Sequence, residues 1–387
     1  MVFRGSQSVD GGSVVVDSDT KHLSVIQTDP HTDPRWETFV LQHPAGSIYF
    51  HPAWLGALER EYGRKVECLV CEDSRGELQG LFPLMYTRGI PFSKGKSLSG
   101  ARLASLPRTP FGGPLANGSP AAALLLQAAV RRVSALPNVS LQIKPQERGL
   151  DGLISGVVEK PWRYNYLLHF HDTPGEPFNF SNSKHRGDIR RSINKARANG
   201  LRIRMAETEA DLSAWYSAYL ETMRRNIVPA RPYRFFRALW QLMRPKGLIW
   251  LWLVEHESNR GVGIVGGHIY FRLGNTLTYA FSAARTKALP LHPNDMLLWQ
   301  AIHDAHAAGC STVDFGEVPE GDESLAQYKT KWGAKPVRMY RYYYPDFAES
   351  EPPTDDGQSP LMAIAKSAWC HLPLKVTAWL GDRKSVV

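Results

Sequence analysis

The sequence contains no long hydrophobic run. A membrane-spanning helix needs about 20 consecutive apolar residues, and the densest apolar stretch, residues 248–254, is only long enough for one buried strand. The N-terminal region also lacks the apolar core of a secretory signal. We therefore expect no transmembrane segment and a cytoplasmic location, with peripheral contact to the inner membrane face as an open alternative.

Cysteine is scarce, and the short motifs of several common enzyme classes are missing. Cys68 and Cys71 form a C-x-x-C pair among four cysteines. The surrounding run is typical of a β-strand, and no second Cys/His pair follows at metal-ligand spacing, so we expect no metal site. There is no nucleophile elbow, P-loop, zinc-protease motif or dinucleotide fingerprint, and we expect no tightly bound cofactor.

Positive charge is abundant. The chain of 387 residues carries 46 basic and 37 acidic residues, a formal charge of +9. Such an excess favours an anionic partner without choosing between nucleic acid, nucleotide phosphates and an anionic membrane surface. Much of the excess lies in residues 184–204, where a predicted helix carries Lys184, Arg186 and Arg190.

The chain is longer than a usual single domain, and its patterns divide it into four segments. Residues 1–21 are rich in glycine, serine and aspartate and are predicted to be disordered. Residues 22–172 and 173–345 each follow the order helix, strands, loop, helix, strand, which predicts two copies of one α/β fold. Residues 346–387 are predicted to be a linker and an amphipathic tail, which either packs on the body or contacts a membrane or partner.

The most informative motifs lie in residues 290–334. His292, a proline and Asn294 precede an amphipathic helix, and the short β-run after that helix contains VDFG. An acidic loop then leads to YKTKWGA. Earlier in the chain are HPAWL at residues 51–55, a GG turn between two prolines, and TMRRNIVP at residues 222–229.

These motifs, in this order, resemble the Fem-type peptidyltransferases, a branch of the GNAT acyltransferase superfamily. The tail resembles the FemAB-like subset associated with exosortase and exopolysaccharide loci. The resemblance implies an α/β protein of two tandem GNAT-like lobes, whose mixed β-sheets are flanked by helices and which hold the substrate between them. The implied activity is transfer of an aminoacyl or acyl group to an amine of a cell-envelope precursor, either a peptidoglycan peptide or an exopolysaccharide sugar.

The resemblance implies one catalytic residue, and the position of a carboxylate at the end of a predicted strand indicates a second. Acyl transfer requires alignment of the amine, stabilisation of the oxyanion and removal of a proton. Lys329 takes the position of a lysine that stabilises the tetrahedral oxyanion, and Asp314, at the end of a predicted strand, would orient it or accept a proton. Tyr328 and Trp332 flank this lysine and are expected to bind substrate. Lys331 would face the opposite way in an extended stretch. The alternatives are a surface lysine and a carboxylate that caps a turn.

Further substrate-binding positions follow from the same resemblance. Arg225 corresponds to an arginine that reaches a phosphate of the envelope precursor, for which guanidinium geometry is well suited. Tyr233 corresponds to an aromatic residue of the acceptor cleft. Gly112 and Gly113 would let the backbone approach a ligand closely. Alternatively, the glycines are ordinary turn residues, and the arginine satisfies the end of a helix.

The donor is expected to be anionic, either an acyl-CoA or an aminoacyl-tRNA. Backbone N–H groups at a helix start favour anions, which indicates His292 and Asn294, and the basic helix adds Lys184, Arg186 and Arg190. The usual acetyl-CoA signature, R/Q-x-x-G-x-G/A, is missing, which disfavours ordinary acetyl-CoA. The alternative functions are an acyl-CoA-dependent acyltransferase acting on an amino sugar and a non-catalytic RNA-binding or envelope-assembly module.

Overall fold

A computed structural model describes residues 22–87, 101–170, 181–258, 261–345, 369 and 372–386. The predicted disordered N-terminal segment and most of the predicted linker lie outside these residues. The described residues form nine α-helices: α1 (Pro34–Gln42), α2 (Pro52–Tyr62), α3 (Ser119–Ser134), α4 (Ser183–Ala198), α5 (Glu209–Arg225), α6 (Tyr233–Met243), α7 (Pro293–Ala307), α8 (Glu323–Lys331) and α9 (Leu374–Val386). Their strands are β1 (Ser24–Thr28), β2 (Glu67–Glu72), β3 (Leu78–Thr87), β4 (Ala101–Ala104), β5 (Leu115–Ala116), β6 (Val139–Ile143), β7 (Val158–His169), β8 (Leu201–Met205), β9 (Ile249–Ser258), β10 (Gly261–Leu273), β11 (Thr276–Ala284), β12 (Thr312–Val318) and β13 (Lys335–Tyr344).

The strands form one mixed sheet that runs through both lobes. Within the described residues its order is β1-β2-β3-β4-β6-β13-β7-β12-β11-β10-β9-β8, and β5 pairs with β3. The pairs β4–β6 and β11–β12 are parallel. The pairs β6–β13, β13–β7 and β7–β12 in the middle of the sheet are antiparallel, as are the pairs β1–β2 and β8–β9 at its two ends. The predicted α/β architecture, with a mixed sheet flanked by helices, is confirmed.

The two lobes exchange strands at the middle of this sheet. β7 belongs to the first half of the chain but pairs with β12 of the second half, where Leu167 lies opposite Asp314. β13 comes at the end of the second half and pairs with β6 of the first half, where Tyr342 lies opposite Ile143. The boundary predicted after residue 172 therefore divides the chain but does not divide the sheet.

The lobes also share a hydrophobic core. α2 begins with a proline, which suits the first turn of a helix, and ends at Gly63, whose φ of +63° is left-handed. α2 packs on α6, and Trp54 meets Phe235 edge to face with 5.6 Å between ring centroids. Because one cluster of buried side chains includes α1, α2, α5 and α6, the two lobes form a single packed unit.

The two cysteines of the C-x-x-C pair lie in β2, the strand that the sequence predicts. Both are fully buried: Cys68 packs in the core shared with α2, and Cys71 packs against α3. Side chains three residues apart on a strand point to opposite faces of the sheet. The two thiols therefore act as separate core residues.

Gly267 lets α5 approach β10 closely. α5 starts with a capping box between Thr208 and Asp211, and its buried face carries Trp215. The indole N–H of Trp215 donates to the Gly267 carbonyl at 2.9 Å, and a Cβ on that glycine would lie only 2.7 Å from the indole ring. This contact fixes α5 on the sheet and, with it, the position of Arg225 at the end of the helix.

The tail helix α9 packs on the body. Thr377 is buried, and a Cβ on Gly381 would lie 2.1 Å from the carbonyl oxygen of Ala230. Arg224 of α5 donates to the Leu372 carbonyl at 3.1 Å, and α9 contacts both α5 and α2. These contacts favour the packing alternative for the tail. Among the helices in the described ranges, none has the length and apolar character needed to cross a bilayer.

Removal of the tail is expected to destabilise the protein. Truncation after Pro345 would uncover the surfaces of α5 and α2 that α9 covers, and Arg224 and Arg234 would lose their partners in the tail. We expect a lower melting temperature in differential scanning fluorimetry, because apolar surface becomes exposed. An unchanged melting temperature would indicate instead that the tail serves a partner or a membrane.

Candidate active site

A β-bulge in β12 forms the centre of the candidate site. The pairing of β12 with β7 shifts between Asp314 and Glu317, so that Phe315 and Gly316 share the single opposing residue Tyr166. Gly316 has a left-handed φ of +76°, which glycine adopts without steric cost. The bulge turns successive carbonyl groups of β12 toward α8.

Lys329 of α8 holds this bulge. Its ammonium group donates to the carbonyls of Phe315, Gly316 and Glu317 at 2.7, 2.9 and 3.0 Å, which engages all three of its protons. The residue is 5% exposed. Burial lowers the pKa of Lys329 to about 8, while the nearby Asp314 carboxylate acts in the opposite direction. Lys329 is thus a buried cation rather than a surface lysine.

The YKTKWGA motif is helical where it carries its lysines, not extended. Asp322 caps α8 by accepting the backbone N–H of Leu325 at 3.0 Å. The extended stretch expected from the sequence is wrong, because this N-cap in the acidic loop starts a helix that continues to Lys331. As expected, the side chain of Lys331 points away from the bulge that Lys329 contacts: its ammonium pairs with Asp295 of α7 at 3.1 Å.

Tyr328 and Trp332 anchor α8 to the second lobe. Trp332 is fully buried, and Tyr328 packs against the same hydrophobic cluster. The ammonium of Lys331 lies 5.4 Å from the centroid of the Tyr328 ring. Neither aromatic residue lines the two cavities described below. Their contacts are packing contacts, and a direct contact with substrate stays a prediction.

Asp314 caps the bulge from its amide side. Its carboxylate accepts the Gly316 N–H at 2.8 Å, which is the turn-capping geometry that the sequence left open. Asp314 is 8% exposed, and burial raises the pKa of its carboxyl group, partly offset by the Gly316 hydrogen bond and by the Lys329 charge. Asp314 and Lys329 therefore brace the same bulge, one through an amide and the other through carbonyls.

Two adjoining cavities lie between the lobes beside this bulge. Their volumes are about 630 Å³ and about 340 Å³, and Arg108 and Ala280 border both of them. Phe315, Gly316 and Glu317 line the larger cavity. The braced bulge therefore faces a cleft that has the size of a typical small-molecule site.

The larger cavity is strongly cationic. Its lining contains one carboxylate, Glu317, and five basic side chains: Arg102, Arg108, Lys144, Arg163 and Arg341. Glu317 accepts from Arg163 at 3.2 Å and lies 3.6 Å from Arg341, while Arg108 pairs with Glu61. With Arg108 paired to Glu61, the single carboxylate of the lining, Glu317, faces the four remaining basic side chains. This excess of positive charge means that the cavity favours an anionic ligand.

The GG turn holds the backbone of Lys144, a buried residue that lines this cavity. Gly112 and Gly113 both donate their N–H groups to the Lys144 carbonyl, at 2.9 and 3.3 Å. A Cβ on Gly112 would lie 2.2 Å from the Ser105 carbonyl oxygen, so a side chain does not fit there. The turn packs against the end of β6, and a direct contact of either glycine with a ligand stays a prediction.

Arg225 and Tyr233 lie outside both cavities. Arg225 donates to the Ala284 carbonyl at 3.2 Å and to the Thr286 hydroxyl at 3.0 Å, which ties the end of α5 to the end of β11. Tyr233 begins α6, and its ring centroid lies 5.2 Å from that of Tyr216. The substrate-phosphate role of Arg225 and the acceptor contact of Tyr233 stay predictions.

A buried histidine that sequence reasoning missed lies behind the larger cavity. His268 of β10 is fully buried; its Nδ1 lies 2.9 Å from the Tyr270 hydroxyl, and its Nε2 lies 3.1 Å from Asn294 Oδ1. Tyr279, which lines the cavity, approaches the same Nε2 at 3.3 Å. Burial lowers the pKa of His268 to about 3, so the imidazole is neutral. The Asn294 side chain thus engages a buried polar network, and its role toward a donor stays a prediction.

The other expected donor-binding residues lie on the outside of the second lobe. His292 has a left-handed φ of +60° and precedes α7 without a side-chain capping bond. The basic helix α4 buries its apolar face and exposes Lys184 and Arg190, while Arg186 donates to the Ser181 carbonyl at 2.6 Å. None of these four side chains lines either cavity. The structure therefore separates a basic outer face from the cationic cleft.

Comparison with known proteins identifies the fold. Residues 183–330 match the family model described as "Acetyltransferase (GNAT) domain". FemX has the same fold at 15% identity: the match covers 83% of this chain and 97% of FemX, with a TM-score of 0.64. L-PGS from Bacillus licheniformis matches at 13% identity over 88% of this chain and 98% of its own, with a TM-score of 0.54.

A further match is the C-terminal domain of a putative lysylphosphatidylglycerol synthetase from Agrobacterium fabrum. It is 12% identical, with a TM-score of 0.53, and the match covers 83% of this chain and 92% of that domain. Among curated proteins, the sequence has no match. Most of the second lobe thus matches a GNAT domain, and this match supports an acyltransferase. The resemblance drawn from the motifs is confirmed at the level of the fold: the chain has the fold of FemX, and residues 183–330 match a GNAT domain.

Proposed function

We propose that the protein is an N-acyltransferase that transfers an aminoacyl or acyl group to an amine of a cell-envelope precursor. The acceptor is a phosphate-bearing peptidoglycan peptide precursor or an exopolysaccharide sugar. The observation that carries this proposal is the cationic cleft between two lobes, into which the braced bulge of β12 faces. A shared fold with a putative lysylphosphatidylglycerol synthetase supports an acceptor of the envelope.

The proposed chemistry takes place at the bulge. The acceptor amine attacks the donor carbonyl, and the carbonyl oxygen becomes an oxyanion. When the oxyanion collapses, the C–O or C–S bond of the donor breaks, and the proton that the amine loses ends on the departing oxygen or sulfur. Lys329 lies directly behind cavity-lining residues, bound to their carbonyls. Exchange of one carbonyl contact for the oxyanion would give the developing charge a cationic partner in a site of low dielectric. Asp314 keeps the bulge in shape and holds the lysine by its charge.

The donor is an acyl-CoA or an aminoacyl-tRNA. The match to an acetyltransferase domain favours a CoA thioester, whereas the exposed basic face of α4 favours a large polyanion such as tRNA. An acyl-CoA enzyme acting on an amino sugar is therefore the second candidate. A non-catalytic RNA-binding or envelope-assembly module would need only the basic face of α4. Such a module would not require the buried Lys329 or the cationic cleft.

Isothermal titration calorimetry on the purified protein tests the donor. We expect it to bind either a CoA thioester or an aminoacyl-tRNA, but not both equally well. If tRNA is the donor, the affinity for aminoacyl-tRNA should fall steeply with salt concentration. A triple variant in which Lys184, Arg186 and Arg190 are changed to glutamine should then no longer bind aminoacyl-tRNA. If CoA is the donor, the triple variant should bind like the wild type. Binding of neither donor would contradict the proposal and favour the non-catalytic module.

A further inference from the structure

Three basic residues of the larger cavity occupy adjacent strands on one face of the sheet. Arg102 lies on β4, Lys144 directly follows β6, and Arg341 lies on β13, in the sheet order β4-β6-β13. The register pairs Tyr342 with Ile143, which places Arg341 and Lys144 opposite each other one step further along. All three basic side chains line the cavity. Side chains that face each other as those of Arg341 and Lys144 do have Cβ atoms about 5 Å apart, and like charges there repel. Arg102 lies opposite Ser140 on β6, four residues before Lys144, and shares the cavity with the facing pair.

These cations have little compensation within the described residues. Lys144 is 3% exposed and donates to the carbonyls of Leu106 and Thr109, with no carboxylate as a partner. Arg102 makes no ion pair with any described residue. Arg341 shares Glu317 with another arginine. Burial and then the charge of Arg341 lower the pKa of Lys144, and the Glu317 charge acts in the opposite direction.

A purely architectural role explains only one member of the cluster. Lys144 anchors the loop that contains Leu106 and Thr109 through its carbonyl contacts. Arg341 instead stacks on Trp162, with its guanidinium carbon 3.8 Å from the ring centroid. Its buried Nε donates to no described group. A stacked guanidinium with an unused N–H keeps a hydrogen bond available for a planar or tetrahedral oxyanion.

We propose that Arg102, Lys144 and Arg341 form an oxyanion subsite that binds a phosphate or carboxylate group of the acceptor. Only the identification of the bound molecule as the acceptor rests on the proposed function. The bulge of β12 lines the same cavity, so an anionic group held by these cations orients the rest of the acceptor toward the acyl-transfer position. Such an anchor raises effective concentration and alignment of the amine.

Anion binding without a donor tests this subsite. The probes are inorganic pyrophosphate and tricarballylate, titrated calorimetrically into wild type, Arg102→Gln and Arg341→Gln. We expect at least one probe to bind the wild type and each variant to bind it about tenfold more weakly, as expected for loss of a charged hydrogen bond. Preference for pyrophosphate indicates a phosphate-bearing acceptor, and preference for tricarballylate indicates a carboxylate.

Two controls make the outcome decisive. Arg202→Gln removes an exposed arginine of the edge strand β8, paired with Glu257 at 3.6 Å, and should leave probe affinity unchanged. Arg102→Gln should also be at least as thermally stable as the empty wild type, because it removes repulsion from the cluster. A purely structural arginine would show the opposite. Absence of probe binding to the wild type, or equal weakening by Arg202→Gln, overturns the subsite; failure of acyl transfer alone would not affect this readout.

Discussion

Replacement of Lys329 by methionine is expected to lower kcat/KM for acyl transfer by about 100-fold or more, the usual effect of losing a group that stabilises an oxyanion. The same substitution should lower the free energy of unfolding by about 2 kcal/mol or more, because buried carbonyls of the bulge lose their donor. The reason for both effects is the same ammonium group, which contacts three successive carbonyls of β12. Steady-state kinetics and urea denaturation measure the two effects separately.

The matched control lies two residues further along the same helix. Lys331→Met removes an ammonium that pairs with Asp295 at 3.1 Å, away from the bulge, and it should reduce stability without lowering the activity of the folded enzyme. Activity of Lys329→Met that matches its folded fraction would show that this lysine has no part in the chemistry.

The pH dependence of activity follows from the same group. Burial places the pKa of Lys329 at about 8, below its ordinary value, so the cation that stabilises the oxyanion is lost as the pH rises through that value. We expect kcat/KM to fall on the alkaline side of pH 8 for this reason. The folded protein binds this proton more weakly than the unfolded chain does, so the lysine itself should make stability rise, not fall, above about pH 8.

Removal of the Glu61 carboxylate is the second change with a large expected effect. Glu61 of α2 is fully buried; its carboxylate forms an ion pair with Arg231 at 3.3 Å and accepts a hydrogen bond from Arg108 at 3.4 Å. Arg231 belongs to the second lobe, is 3% exposed on its side chain and lies 4.0 Å over the Phe235 ring. Glu61→Gln would leave this arginine as a buried charge without a counter-ion. We expect a loss of about 3 kcal/mol or more in the free energy of unfolding.

A double variant and a surface control complete this experiment. Glu61→Leu combined with Arg231→Met removes both charges, and we expect it to recover much of the stability that Glu61→Gln loses, since buried ion pairs can be replaced by apolar residues. Glu257→Gln removes an exposed pair with Arg202 and should cost about 1 kcal/mol or less. A similarly small effect of Glu61→Gln would contradict a stabilising role for the ion pair between Glu61 of the first lobe and Arg231 of the second.

Much of the local structure could be predicted because its signals are local. A proline begins α2 and a glycine ends it, and the turn between β2 and β3 is likewise specified by residues adjacent in sequence. The helix α8 was missed because the capping role of Asp322 depends on backbone geometry that an acidic loop does not reveal. The bulge was equally hidden, since its signature is the pairing with Tyr166, far away in the chain.

The site was only partly predictable, for a topological reason. Asp314 and Lys329 were found by motif, and the structure brings them to one bulge. Arg341 reaches Lys144 only because β13 enters the sheet of the first lobe, and no local pattern predicts strand exchange over that separation. His268 appears in the sequence as a lone polar residue in an apolar strand, a pattern that does not distinguish a core histidine from one in a network behind a cavity.

The most direct test of the account is detection of the new amide bond. Purified protein would be incubated with each donor class and with amine-bearing nucleotide-linked muropeptides or amino-sugar oligosaccharides, and the products analysed by mass spectrometry. The account predicts an acceptor whose mass increases by one acyl or aminoacyl group, with wild type but not with Lys329→Met. Intact acceptors under all these conditions, from a protein that binds a donor, would contradict the claim that the cleft between the lobes is a site of acyl transfer to an amine.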